Sequence, residues 1–291
     1  MRVVEPNKQK TVEKKTRSRK PLRVTLFLLL LGSIAAAYYA FDTASEPVSV
    51  TTTEIPETTV TQNTEVTEPD PRIENKGEFI QFSGNEFRLF YDNLLQPNLV
   101  KVENPPEITG NDIADTRIRE IAEARGYKLR SSPATDLSSV DGYPLQEAAQ
   151  QPWLDLKAAA AAEGLSMSLV SGYRSVDTQR GLYTNWLFGR GVTVEEVANG
   201  LADEAVDAVL VTSSIPGYSK HHTGYTIDLA CAGYAFENFG ASDCFEWLSA
   251  DNYANAKEFG FIPSYPDDAD NQGPDPEAWE YVYVGRDLLV Y

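Results

Sequence analysis

Histidine is almost missing from this sequence: two occur in 291 residues, His221 and His222, side by side. Any chemistry that needs an imidazole must pass through this one dipeptide, although the count alone does not exclude a Ser-His-Asp or Cys-His triad. Cysteine is as scarce, with Cys231 and Cys244 alone. They are neither closely spaced nor near a histidine, which argues against a cysteine zinc site. A Cys231–Cys244 disulfide is expected, two buried thiols being the alternative. No repeat of solenoid length occurs. Positive charge is short too, with 25 Lys and Arg against 43 Asp and Glu, a formal net of −18. Nine of those basic residues fall within residues 1–23, beside only Glu5 and Glu13, which leaves 16 basic and 41 acidic residues for the rest. A body so acidic repels phosphate backbones, so nucleic acid is not an expected partner. Apolar residues at 42% and aromatics at 11% suffice for a real core and exclude global disorder.

Charge is absent altogether from Val24 to Phe41, VTLFLLLLGSIAAAYYAF, 18 residues in a row. At ~1.5 Å per residue this is about the minimum that crosses a bilayer core. Tyr38 and Tyr39 suit an aromatic belt, and the basic head 1–23 keeps the N-terminus cytoplasmic by the positive-inside rule. The reading is a single-pass signal-anchor with the C-terminal body outside the cytoplasm, at the cell membrane; the small residues Ala35–Ala37 leave cleavage as a signal peptide open. Residues 42–72 hold no basic side chain before Arg72 and are rich in Thr, Glu, Pro, Ser and Val. With little apolar surface to offset ordering entropy, they read as a disordered stalk. A folded domain of residues 73–291 is expected to follow.

Within it, Phe79–Tyr91 looks strand-like. Ile113–Arg125 has helical apolar spacing with Gly126 as its stop, and Leu145–Glu163 is an Ala-rich helix in which Pro152 should make a kink or begin a second half. Leu165–Val170 reads as a strand and Val176–Phe188 as a helix. Thr193 and Glu196 form a capping box for a helix to about Val209. Thr223–Ala230 alternates as a half-buried strand, Cys244–Phe259 is helical, and Trp279–Val284 closes with a strand. Helices and short strands interleave without a regular βαβ rhythm, so the class is α+β, a small antiparallel sheet flanked by helices.

In the segment Pro216–Asp228 a histidine in a tight loop precedes an aspartate on a strand, an arrangement that can aim an imidazole and a carboxylate at one cation. Alone, that spacing is weak. Arg174 alone reads equally well as a structural ion pair at a strand end. Four blocks taken in order are specific. Ser219-x-His221-x-x-Gly224-x-Thr226-x-Asp228 resembles the S-x-H-x-x-G-x-A-x-D motif of the D-Ala-D-Ala carboxypeptidase family, the VanY-like branch of the lysostaphin/hedgehog-type zinc peptidases. Ser171-Gly172-Tyr173-Arg174-Ser175 with Gln179 is similar to its SGYRS...Q element. Trp247-Leu248, Asn255-Ala256, Phe259–Ile262 and Tyr265-Pro266 are similar to its later helix and strand. Glu277–Gly285 resembles its E-P-W-H-x-R-Y-V-G ending.

The resemblance implies a hedgehog-like peptidase fold in which His221 and Asp228 bind zinc. It implies Glu277 as general base, Arg174 as oxyanion or substrate donor, and Ser219, Tyr173, Gln179 and Trp279 lining the substrate. The family's second histidine is Glu280 here, which makes the expected ligand set His221, Asp228 and Glu280. Carboxylate oxygen is an accepted zinc ligand, and an oxygen-rich set also suits manganese. Ala278, Val282 and Thr226 replace the family's Pro, Arg and Ala. The implied activity is a membrane-anchored carboxypeptidase acting on peptidoglycan stem peptides at a D-Ala-D-Ala or related bond, and a monomer is expected. Two alternatives remain: a metal-free wall-binding or scaffolding protein of the same fold, and an unrelated adhesin on a Thr-rich stalk.

Overall fold

The computed structural model describes residues 78–291. The basic head 1–23, the apolar stretch 24–41, the stalk 42–72 and the boundary near Ile73 lie outside the described residues. Among the described residues no helix is long and apolar enough to cross a membrane.

The organising element is a four-stranded antiparallel sheet of β1 (Met167–Ser171), β2 (Thr226–Cys231), β3 (Phe261–Tyr265) and β4 (Glu277–Tyr283), in spatial order β1-β2-β4-β3. Among the described residues seven α-helices accompany it: α1 (Gly84–Asn93), α2 (Asp112–Ala124), α3 (Glu147–Ala162), α4 (Val176–Phe188), α5 (Val194–Ala198), α6 (Asp203–Leu210) and α7 (Asp243–Glu258). Two minor ladders pair Leu99–Val100 with Ser132–Pro133 and Ser138–Val140 with Tyr143–Leu145. The class is α+β, as the sequence predicts.

Strand alternation sorts the sheet's two faces. Met167, Leu169, Ile227, Leu229 and Tyr281 point into a core shared with Trp153, Leu156 and Ala160 of α3 and Leu248 and Ala256 of α7. Asp228 and Glu280 alternate to the other face. A second core gathers α2, α4, α5 and α6 around Ile118, Tyr183, Leu187, Val206 and Val209. A third packs Phe87 and Tyr91 of α1 against Tyr225, Ile262 and Val282. Cys231, at the end of β2, is bonded to Cys244 in the first turn of α7, as expected.

Several sequence expectations need correction. Phe79–Tyr91 is not a strand: Phe79 makes an isolated bridge with Val290, and α1 starts at Gly84 behind a Ser83/Glu86 capping box. Its aromatics mislead because Phe87 and Tyr91, four apart, share one buried helix face. The expected helix Thr193–Val209 is two helices. The capping box forms, but α5 ends at Ala198 and the chain turns through Gly200 at φ +72° before α6. Leu145 closes a short hairpin, and α3 begins two residues later and runs unbroken past Pro152. The break falls instead in α7, where Asp251, Asn252 and Tyr253 take positive φ. Asn252 there accepts from the Phe82 N–H and from Lys257 Nζ and donates to the Phe82 carbonyl, which satisfies the interruption.

Candidate metal centre and active site

The turn that presents His221 is built by its flanking residues. Ser219 caps a 3-10 helix, Lys220–Thr223, and its Oγ accepts from the His221 N–H. Gly224 ends the turn at φ +75°, where a Cβ would also meet the Leu137 side chain at 2.7 Å. The Ser and Gly of the motif are thus explained by backbone geometry alone.

The sheet supplies the acids. Asp228 on β2 stands opposite Glu280 on β4, and Ser171 on β1 stands opposite Asp228, so these side chains lie side by side on one face. Between the partners Tyr265–Glu277 and Pro263–Tyr281, Ser264 alone on β3 faces three residues of β4. That irregularity offsets the strict alternation that would send Glu277 and Glu280 to opposite faces. Glu277, half-buried, lies near enough to Glu280 to feel its charge.

His221 Nδ1 donates to the Gly172 carbonyl at 2.7 Å. Nε2 then faces two acids, Asp228 Oδ2 and Glu280 Oε2, each 3.3 Å away. His221 Nε2 and Asp228 Oδ1 are buried with no hydrogen-bond partner. The three donor groups have ligand atoms within 4.8 Å of one another. Two ligands about 2.1 Å from one tetrahedral zinc stand roughly 3.4 Å apart, whereas a charge-assisted N–H···O bond is nearer 2.7–2.9 Å. The donor set therefore fits a small divalent cation.

Electrostatics divide the acids. Burial raises Glu277 well above the ordinary range, and the Glu280 and Asp228 charges push it further. Glu280 is also buried, but the charges of His221 and Lys220 and the hydroxyl of Ser264 pull it down to about 2. Glu277 is thus the proton-bearing member of the pair and Glu280 the ionised one. Burial opposes charge on His221 as well, yet Asp228 and Glu280 raise it to about 9.

His222, on the same 3-10 turn, leaves this cluster. Its Nδ1 donates to the Arg174 carbonyl and its Nε2 accepts from the Gly217 N–H. Both nitrogens are engaged by the neutral ring, and burial holds it down to about 4. Arg174 donates to Gln179 Oε1 at 3.0 Å and Ser171 Oγ at 3.2 Å, with Asp228 Oδ2 3.7 Å away. Gln179 is itself buried and donates to the Ser214 carbonyl, so it aims Arg174 from behind. Ser219 likewise serves the turn through its cap. Tyr173 is half-buried, its N–H donating to the Pro144 carbonyl. Trp279 packs on Phe236, with ring centroids 4.9 Å apart, and on the main core. Lys220 and Ser264 were not singled out by the sequence: a lysine in a loop and a serine in an apolar strand carry no motif. A small cavity of about 60 Å³ adjoins Glu277, lined by Phe245, Tyr253, Pro263, Tyr265 and Pro266.

Residues 143–286 match the VanY D-alanyl-D-alanine carboxypeptidase family. This domain belongs to that family. The VanY-type domain is 32% identical over 132 residues to the candidate carboxypeptidase YodJ of Bacillus subtilis, covering 44% of this chain and 42% of that one. It is 31% identical over 137 residues to a D-alanyl-D-alanine carboxypeptidase of Enterococcus faecalis, 46% of each chain. The match thus spans less than half the length of these curated relatives. A zinc complex of a variant vancomycin-resistance D,D-pentapeptidase, VanY from a VanB-type cassette, superposes with a TM-score of 0.43 at 24% identity over 65% of this chain and 88% of that one.

Proposed function

We propose that the domain is a metal-dependent carboxypeptidase acting on D-Ala-terminated peptidoglycan stem peptides. The observation that carries this reading is the spacing of the buried donors: an imidazole nitrogen with no hydrogen-bond partner lies 3.3 Å from each of two carboxylates. His221, Asp228 and Glu280 would hold the ion, zinc or another small divalent cation such as manganese. When bound, the ion supplies Lewis acidity that polarises the scissile carbonyl and acidifies water. Glu277, beside the ligands, bears a proton in the metal-free chain; with a cation's charge next to it the carboxyl would be ionised, free to take the proton of the attacking water and return it to the leaving amine. Arg174, aimed by Gln179 and Ser171, donates to the developing oxyanion or the substrate's terminal carboxylate. Tyr173, Ser219 and Trp279 complete the substrate side of the site in this reading. Residues 1–72 would tether the domain to the outer face of the cell membrane.

A second reading has one observation in its favour. In the metal-free chain His221 holds its proton to about 9, which makes an internal ion cluster with Asp228 and Glu280. A metal-free wall-binding protein would use the same residues in this way. The test is metal analysis of the purified full chain, with release of D-Ala from a stem pentapeptide before and after zinc or manganese is added. Bound metal and turnover, lost in Glu277→Gln while metal is kept, are expected. Protein that takes up neither ion and releases no D-Ala rejects the peptidase in favour of the binding module.

A further inference from the structure

Lys220 is buried between α1 and β3. Its Nζ lies 3.9 Å from the Tyr265 ring centroid and 4.5 Å from that of Tyr91, and it donates to the Ser264 carbonyl. Ring faces and a carbonyl oxygen favour an ammonium over an amine. The Oγ of the same Ser264 donates to Glu280 Oε1, which leaves Oε2 toward His221. Asp92, the other acid near Lys220, already pairs with Arg88, Lys128 and Arg130. Ser264 thus joins the two: its carbonyl takes Lys220 and its hydroxyl holds Glu280.

We propose that Lys220 and Ser264 are positioning residues that make a carboxylate workable as the third ligand. Ser264 fixes the carboxylate's rotamer by saturating one oxygen, and Lys220 offsets the negative charge that a glutamate brings where a neutral imidazole would ligate. This rests on the reading of His221, Asp228 and Glu280 as ligands. It carries a consequence: restoring a histidine alone would leave Lys220 a buried cation with no carboxylate to balance, so Glu280→His should not behave as a simple improvement.

The experiment is a double-mutant cycle on the full chain at pH 6.5, combining Lys220→Met with Glu280→His. In metal-free protein, Lys220→Met is expected to lower Tm in the native background and to lower it by less than half as much beside Glu280→His. A loss more than half as large there overturns the pairing, since a lysine that merely fills space between Tyr91 and Tyr265 affects both backgrounds alike. For zinc, the ratio of Kd with and without Lys220→Met is expected to be about tenfold higher in the native background than in Glu280→His; ratios within threefold overturn the proposal. Should Lys220→Met not fold, Ser264→Ala replaces it, because it deletes the hydroxyl on Glu280 and keeps the carbonyl on Lys220. Its Tm loss is held to the same half-size criterion. If the native chain takes up no zinc, the ligand reading fails, while the metal-free Tm arm still decides whether Lys220 and Glu280 are paired.

Discussion

Two adjacent imidazoles are pushed in opposite directions, and that difference gives the domain a characteristic pH response. Between pH 6.5 and about 4, the unfolded chain binds a proton at His222 that the folded chain refuses, so stability falls as pH falls through that window. Between 6.5 and about 9, the folded metal-free chain keeps a proton at His221 that the unfolded chain has lost, so stability falls as pH rises. In thermal melts of metal-free protein, His222→Gln should therefore flatten the acid side and His221→Gln the alkaline side, where the buried Lys220, lowered to about 7, works the other way. A curve unaffected by either substitution contradicts the assignments. Gln179 offers a second test at this scale. It touches Arg174 and not the reacting atoms, so Gln179→Ala should lower kcat/KM roughly 10–100-fold with metal content retained. Loss of metal instead would place its effect on Asp228.

Among the elements, the Cys231–Cys244 bond ties the strand that carries Asp228 to the helix beneath the sheet across a separation of 13 residues. Replacing both cysteines by alanine should cost about 3 kcal/mol, read as a lower urea midpoint at unchanged slope. The sequence shows the pair but not its partner geometry, which depends on how α7 docks. What was legible follows the same rule. The helix Val176–Phe188 is written in local periodicity and forms as read, whereas the strand through Asp228 starts at Thr226 rather than Thr223 and is buried on both faces rather than half-buried. The α1 capping box, Ser83 with Glu86, was equally local but was masked by the surrounding aromatics. The meeting of Asp228 with Glu280 depends on register between strands about fifty residues apart, and only the family resemblance joined them. Lys220 and Ser264 belong to no motif, and their part emerges only once β3 is seen beside the 3-10 turn.

For the molecule as a whole, the basic head and the uncharged stretch 24–41 remain the basis for an anchored body. The full chain should sediment with membranes after an alkaline carbonate wash; recovery in the soluble fraction would leave the tether without support. The strongly acidic remainder, 41 acidic against 16 basic residues, should also make capture of cationic metal ions and cationic peptides weaken with added salt. The ladder that sets Asp228 opposite Glu280 has a broader consequence. Where a donor sits is decided by hydrogen bonds between main chains, and what kind of donor it is by a single side chain. Such a site can exchange nitrogen for oxygen without rebuilding its frame, so its metal preference is free to drift while its architecture stays still.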